Sequence, residues 1–214
     1  QLIMAQERER KRIAMELHDE LGQSLIGLKL QLSGLSKRGQ EDWKVLGQEI
    51  NQGLKQIDGM TRNIRRITQD LHPTMLEHLG LIEALRWLCD QSAKYFKVQF
   101  LNGLQEPFQG IFSKEQELII FRIFQEAFNN IRKHAKAKRV SILISALGKN
   151  LIFSIRDDGQ GFDLKTVMNR NPFQIGLGLT SMDERARMAG GILNIQSEIG
   201  AGTAITLKVP FKNK

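Results

Sequence analysis

From Ile13 the apolar residues Leu17, Leu21, Leu25, Leu28, Leu32 and Leu35 recur every three or four positions, the spacing that lines one face of an α-helix. The polar stretch Ser36 to Gln40 (SKRGQ) interrupts the stripe with a glycine, and it resumes through Leu46, Ile50, Leu54, Ile57, Ile64, Ile67 and Leu71. Two long helices joined by a short turn run antiparallel. Such a hairpin is too thin to bury both stripes, so the pattern predicts a homodimer in which two hairpins form a four-helix bundle. Glycines at 22, 27, 34, 47, 53 and 59 work against the helices, each costing about 1 kcal/mol relative to alanine.

After Leu71-His72-Pro73 the pattern changes, because proline cannot continue a helix interior. A second domain is expected over 74–214, with 1–73 as the first. Its residues predict a helix at 76–96, a strand at 97–103, a helix at 114–135, strands at 139–147 and 150–157, a helix at 177–190, and strands at 191–197 and 203–209. The runs VSILIS and LIFSIR are rich in β-branched residues and flank Gly148-Lys149-Asn150, which reads as a hairpin. The fold class expected is α+β: a helical hairpin, then an α/β sandwich with helices on one sheet face.

Composition is that of an ordinary globular protein, 41% hydrophobic and 25% charged. No run approaches the roughly 18 apolar residues of a membrane span, and the first residues carry no signal-peptide pattern. Since the chain opens directly on a helical pattern, a fragment lacking an upstream sensing or membrane part is expected, with the present part cytoplasmic. The single cysteine, Cys89, has no internal disulfide partner and fits a reducing compartment. A formal net charge of +8 suits nucleic acid, an anionic surface or phosphorylated small molecules alike. The basic residues are spread over helical surfaces without interleaved aromatics, which argues against direct nucleic-acid binding.

Chemistry gathers in the second domain. In EAFNNIRKHA the offsets bring Glu126, Asn130 and Lys133 or His134 to roughly one helix face. An amide and a carboxylate there can serve a hard Mg²⁺ ion that bridges substrate phosphates, although any solvated helix can present such a face. The strand LIFSIR ends in Asp157-Asp158-Gly159-Gln160-Gly161. A carboxylate at that edge can accept from an exocyclic amine such as that of adenine, and the glycines let backbone approach a flat ligand. Gly176-Leu177-Gly178-Leu179 opens a helix, whose free N–H groups suit phosphate.

Read in order, E-x-x-x-N on a helix, D-x-G-x-G after a strand, G-L-G-L before a helix and Gly200-Ala201-Gly202-Thr203 resemble the ATPase family shared by gyrase, Hsp90, histidine kinases and MutL. The resemblance implies ATP and Mg²⁺ as cofactors. It would give Asn130 to the metal, with Glu126 ligating or holding its water, and Asp157 to adenine. Lys133, His134, Gly176, Gly178 and Thr203 would surround the phosphates or close the pocket, and Asp163 to Ile175 would form a mobile lid.

The stretch ERKRIAMELHDELGQSLIGLKLQL resembles the phosphoacceptor helix of nitrate-sensor-type and DesK-like histidine kinases, and LHPTMLEHLGLIEAL is similar to their joint between bundle and ATPase domain. The function implied is autophosphorylation of His18 from ATP and transfer to an aspartate of a response regulator. His18 follows stripe position Leu17 and so flanks the seam, while Gly22, one turn on, leaves space beside the imidazole. Asp19 is placed to take the proton that a nucleophilic imidazole must shed. Gln23 lies four residues after Asp19, and in that subfamily such a D-x-x-x-Q pattern is associated with dephosphorylating the regulator. His72 and His78 gain no such support. The rival readings are an anti-sigma-factor-type serine kinase, which would lack the His-Asp helix, an ATP-binding pseudokinase scaffold, and a basic nucleic-acid module.

Overall fold

The first leucine stripe forms α1 (Leu2–Glu16), a π-helical turn (Leu17–Gly22) and α2 (Gln23–Ser36), and the second forms α3 (Lys44–Leu71) in the computed structural model. It describes residues 2–36, 44–71, 73–102, 110–168 and 177–211. Most of the expected polar break after Ser36 lies outside them. By its contacts the chain divides into two units, Gln1–Thr74 and Met75–Lys214.

In the first unit α3 packs along α1, the π turn and α2. Its glycines do not interrupt it. At Gly53 an added Cβ would sit 3.6 Å from Leu32 Cδ1, an ordinary contact, so the helices pass there without requiring glycine. Lys29 Nζ donates to Asp58 Oδ1 at 2.6 Å across the hairpin and holds that carboxyl below its usual range. Exposed as it is, the pair adds little stability. Among the described residues of this unit only Ala14 and Ile57 are buried hydrophobics, whereas the stripe residues Leu21, Leu28 and Ile67 are 46%, 45% and 41% exposed. The leucine stripe therefore finds no complete core within one chain.

The second unit opens with α4 (Thr74–Leu79) and α5 (Leu81–Ser92). The single helix expected over 76–96 is thus two, because Gly80 takes φ +80°, a left-handed value that breaks the helical path. Strand β1 (Lys97–Asn102) follows, then α6 (Lys114–Asn130), which continues into a second π-helical turn (Ile131–Ala135). Ser113 caps α6 reciprocally: its hydroxyl accepts from the Gln116 N–H while its own N–H donates to Gln116 Oε1, both at 3.1 Å. Strands β2 (Arg139–Leu147) and β3 (Asn150–Asp157) form the expected hairpin. A short α7 (Leu164–Met168) stands where a loop was expected, and α8 (Leu177–Met188), β4 (Ile192–Glu198) and β5 (Gly202–Pro210) complete the unit.

The sheet order is β1-β2-β3-β5-β4, with β1 parallel to β2 and all other pairs antiparallel. One face carries the core. Val140, Ile142 and Ile144 of β2, Leu151, Phe153 and Ile155 of β3, and Ile205, Leu207 and Val209 of β5 are buried at alternate positions, the period-two signature of a sheet covered on one side. Phe121, Phe124 and Ala127 of α6 and Met182 and Ala186 of α8 belong to the same core, and Phe124 meets Phe153 edge-on with ring centroids 6.0 Å apart. The fold class is α+β, as expected.

Candidate nucleotide and phosphoacceptor sites

The alternation that buries Leu151, Phe153 and Ile155 also decides where Asp157 goes. Two residues on, it falls on the same inner face and is only 3% exposed. Its carboxylate accepts from the Gly159 N–H at 2.8 Å and from the Thr203 N–H. Burial pushes the carboxyl above its ordinary value; those two N–H groups oppose the shift and the charge of Asp158 adds to it. Asp158 has the opposite fate. It accepts from the backbone N–H groups of Lys138 and Arg139, each at 2.8 Å, and from Arg139 Nε at 3.0 Å, which hold it below the usual range.

The glycines of this loop face the protein's own backbone. A Cβ on Gly159 would meet the Ala135 carbonyl, one on Gly161 (φ +58°) the Glu198 carbonyl, and one on Gly202 (φ +79°) the Asp157 carbonyl. Between them Gln160 donates from its backbone N to Ala135 O at 2.8 Å and from Nε2 to His134 O at 2.7 Å, tying the loop to the π turn after α6. Gln160 was not expected from sequence. Nor was Ser197, which accepts from the Phe162 N–H at 3.0 Å, donates to the Gly202 carbonyl at 3.1 Å and lies 3.0 Å from Thr203 Oγ1. One sequence signal does mark Ser197. It continues the half-buried register of Leu193 and Ile195, just as Asp157 continues that of Ile155.

On α6, Glu126 and Asn130 are half-buried and meet the first turn of α8. There a Cβ on Gly178 would run into Glu126 Oε1 and lie 3.4 Å from Asn130 Nδ2. With any other residue there, the Glu126 carboxylate would have to move aside. Among the described residues no hydrogen bond or ion pair engages the Glu126 carboxylate or the Asn130 side chain. Lys133 and His134 follow on the next turn. The α-helix ends at Asn130, and the wider π turn leaves both exposed. Leu177 begins α8, whereas Gly176 and the later part of the expected lid lie outside the described residues. A cavity of about 510 Å³ is lined by Lys97, Gln99, Arg139, Arg156, Asp157 and Asp158 among others, and by none of Glu126, Asn130 or Thr203.

In the first unit His18 and Asp19 lie on the π turn and Gln23 begins α2, all three exposed or half-exposed. Among the described residues no hydrogen bond joins His18 to Asp19. A Cβ on Gly22 would meet nothing within 4 Å. The π turn was not expected, and such turns occur often at functional positions.

Known proteins share both halves of this arrangement. A family model described as histidine kinase matches residues 9–76, and one described as histidine kinase-, DNA gyrase B- and HSP90-like ATPase matches 115–213. The chain is 35% identical over 213 residues to an oxygen sensor histidine kinase of Staphylococcus carnosus and 34% identical over 212 residues to a sensor histidine kinase of Rhizobium johnstonii. Each alignment covers 98% of this chain, but only 58% and 44% of those proteins. The histidine kinase domain of a blue-light-activated kinase from Erythrobacter litoralis shares the fold, with a TM-score of 0.53 at 16% identity over 88% of this chain and 94% of that one. Among the described residues no helix is long and apolar enough to cross a membrane, and no three His, Cys, Asp or Glu side chains converge as a metal cluster.

The raised pKa of Asp157 yields a test by pH. Its folded-state value lies above the ordinary 3.8, so wild-type stability should fall as pH rises from about there through the folded pKa. Asp157→Asn cannot titrate. Urea midpoints measured from acid to neutral pH should therefore move in the variant's favour as pH rises, and parallel curves would show that burial does not penalise the charge.

Proposed function

The chain belongs to the histidine kinases, and we propose that it uses Mg-ATP to phosphorylate its own His18 and then passes the phosphoryl group to an aspartate of a response-regulator protein. The observation that carries this reading is the pairing of two environments in the second unit. Among the described residues nothing engages the oxygens of Glu126 and Asn130 beside the start of α8, and a buried carboxyl stands at Asp157. The donor set fits Mg²⁺, which takes few protein ligands and completes its shell with water and phosphate. When bound with the nucleotide, the ion would neutralise phosphate charge during transfer.

Asp157 orients the base by accepting from its exocyclic amine, with Gly159, Gly161 and Thr203 shaping that end of the site. The N–H groups opening α8 at Leu177 and Gly178 face the phosphates, Gly176 joins them from outside the described residues, and Lys133 and His134 approach from the π turn. One imidazole nitrogen of His18 attacks the γ-phosphorus as the bond to the bridging oxygen breaks and ADP leaves. The other nitrogen gives up its proton to Asp19. The accessibility of His18 supports this role, since an acceptor must be reached by both nucleotide and partner. Gln23, one turn beyond Asp19, holds a water in line for hydrolysis of the partner's acyl phosphate, an office an amide can fill by accepting and donating.

A second copy of the chain covers the exposed leucines of the hairpin and makes the four-helix bundle. We place this catalytic part in the cytoplasm, with segments outside the present sequence supplying any sensor or anchor.

His18→Gln should reduce labelling from γ-labelled ATP to background while ATP binding persists, and full labelling of the variant would remove His18 from the mechanism. Gln23→Ala should keep His18 labelling and slow decay of the phosphorylated regulator on the order of 10²-fold, whereas unchanged decay would return Gln23 to the surface. Light scattering tests the dimer: wild type should be dimeric and Leu28→Glu with Leu32→Glu monomeric or unfolded, because charge would enter the covered seam unpartnered. A monomeric wild type contradicts the bundle.

A further inference from the structure

The sheet register sets three polar side chains in a row on its inner face. Asp157 pairs with Thr203 across β3 and β5, and Thr203 pairs with Ser197 across β5 and β4. Directly paired residues project to the same side. The row closes chemically as well, since Thr203 gives its N–H to the Asp157 carboxylate while its hydroxyl lies 3.0 Å from that of Ser197.

The contacts of Ser197 decide which way the Thr203 proton satisfies most partners. Ser197 Oγ has three neighbours, the Phe162 N–H at 3.0 Å, the Gly202 carbonyl at 3.1 Å and Thr203 Oγ1 at 3.0 Å. A hydroxyl has one proton to give and two lone pairs to receive with. The amide can only donate and the carbonyl can only accept, so all three contacts are made at once in a single arrangement, with Ser197 donating to Gly202 and Thr203 donating to Ser197. In that arrangement the Thr203 oxygen keeps only lone pairs for anything else. Gly202 and Phe162 are backbone partners held by the strand start and the glycine loop, so neither can rotate to offer Ser197 another choice.

We infer that Ser197 is a positioning residue that fixes the hydroxyl proton of Thr203, so that Thr203 faces the ligand as an acceptor and, beside Asp157, selects a purine carrying a 6-amino group over one carrying a 6-oxo group. The inference rests on the reading of this site as the ATP site and adds its base specificity. An amino group brings N–H donors to the two acceptors. A 6-oxo group brings lone pairs against lone pairs, and Thr203, its proton already committed, cannot turn to meet them. Loss of the Ser197 hydroxyl frees that proton to donate to a carbonyl, and discrimination falls even where binding survives.

The test measures dissociation constants of the whole chain for ATP and for inosine triphosphate, by competition against a fluorescent nucleotide, together with thermal midpoints. Wild type should favour ATP. Ser197→Ala should narrow the ATP-to-inosine-triphosphate ratio by roughly tenfold, the weight of one hydrogen bond, and Ser197→Thr, which restores the hydroxyl, should restore it. Thr203→Val keeps the branched shape and should narrow the ratio equally, with Ser197→Ala adding nothing further to it; this arm stands if the serine variant proves too unstable to measure. A Ser197→Ala protein that melts earlier yet keeps the wild-type ratio would make Ser197 a structural residue and overturn the inference, as would a Thr203→Val protein with an unchanged ratio. Wild type binding neither nucleotide would overturn the ATP-site reading itself, an outcome distinct from binding without discrimination.

Discussion

A carboxyl group at a core position governs the architecture of the second unit. The two-residue period of β3 leaves no choice about the side to which Asp157 points, and burial there disfavours its charge. What makes the position tolerable is a pair of backbone donors, Gly159 and Thr203. These can reach the carboxylate only because the chain passes itself closely on either side, where side chains on Gly159 and Gly202 would strike the Ala135 and Asp157 carbonyls. The spacing of the glycines thus reflects the cage that one acidic residue requires.

The same cage reaches the other half of the site. A helix end leaves its last carbonyls without partners, and the π turn after α6 presents those of His134 and Ala135 to Gln160. Gln160 is therefore a mechanical tie between the loop beside Asp157 and the helix bearing Glu126 and Asn130. At the start of α8, Gly178 lets that helix close against both side chains. Each of the short glycine motifs is in this way half a contact, with its partner elsewhere in the chain.

Much of this was legible in the sequence, for physical reasons that differ by element. The hairpin of α2 and α3 and the β2–β3 ladder declare themselves because periods of 3.6 and 2 are hard to confuse over long runs. Asp157, Glu126 and Asn130 stood out by type and spacing. The π turns did not, since widening a turn by one residue leaves the sequence of apolar positions almost unchanged while rotating the residues beyond it. Lys133 and His134 lie on such a turn, exposed to solvent. The break at Gly80 was hidden because a lone glycine is tolerated within many helices, and only its positive φ reveals it. Ser197 was passed over as an ordinary strand residue, although a small polar side chain at a core-facing register position is the same signal that marked Asp157.

Phosphoryl transfer from nucleotide to imidazole leaves a product with a distinctive stability, because a phosphorus–nitrogen bond breaks in acid and survives alkali, whereas a phosphoserine ester does the reverse. The most direct measurement is to incubate the chain with γ-labelled ATP and Mg²⁺, then track the protein-bound label after acid and after alkali. The account predicts label lost in acid and kept in alkali. Label that survives acid and is released by alkali, or no label on the protein at all, would contradict it.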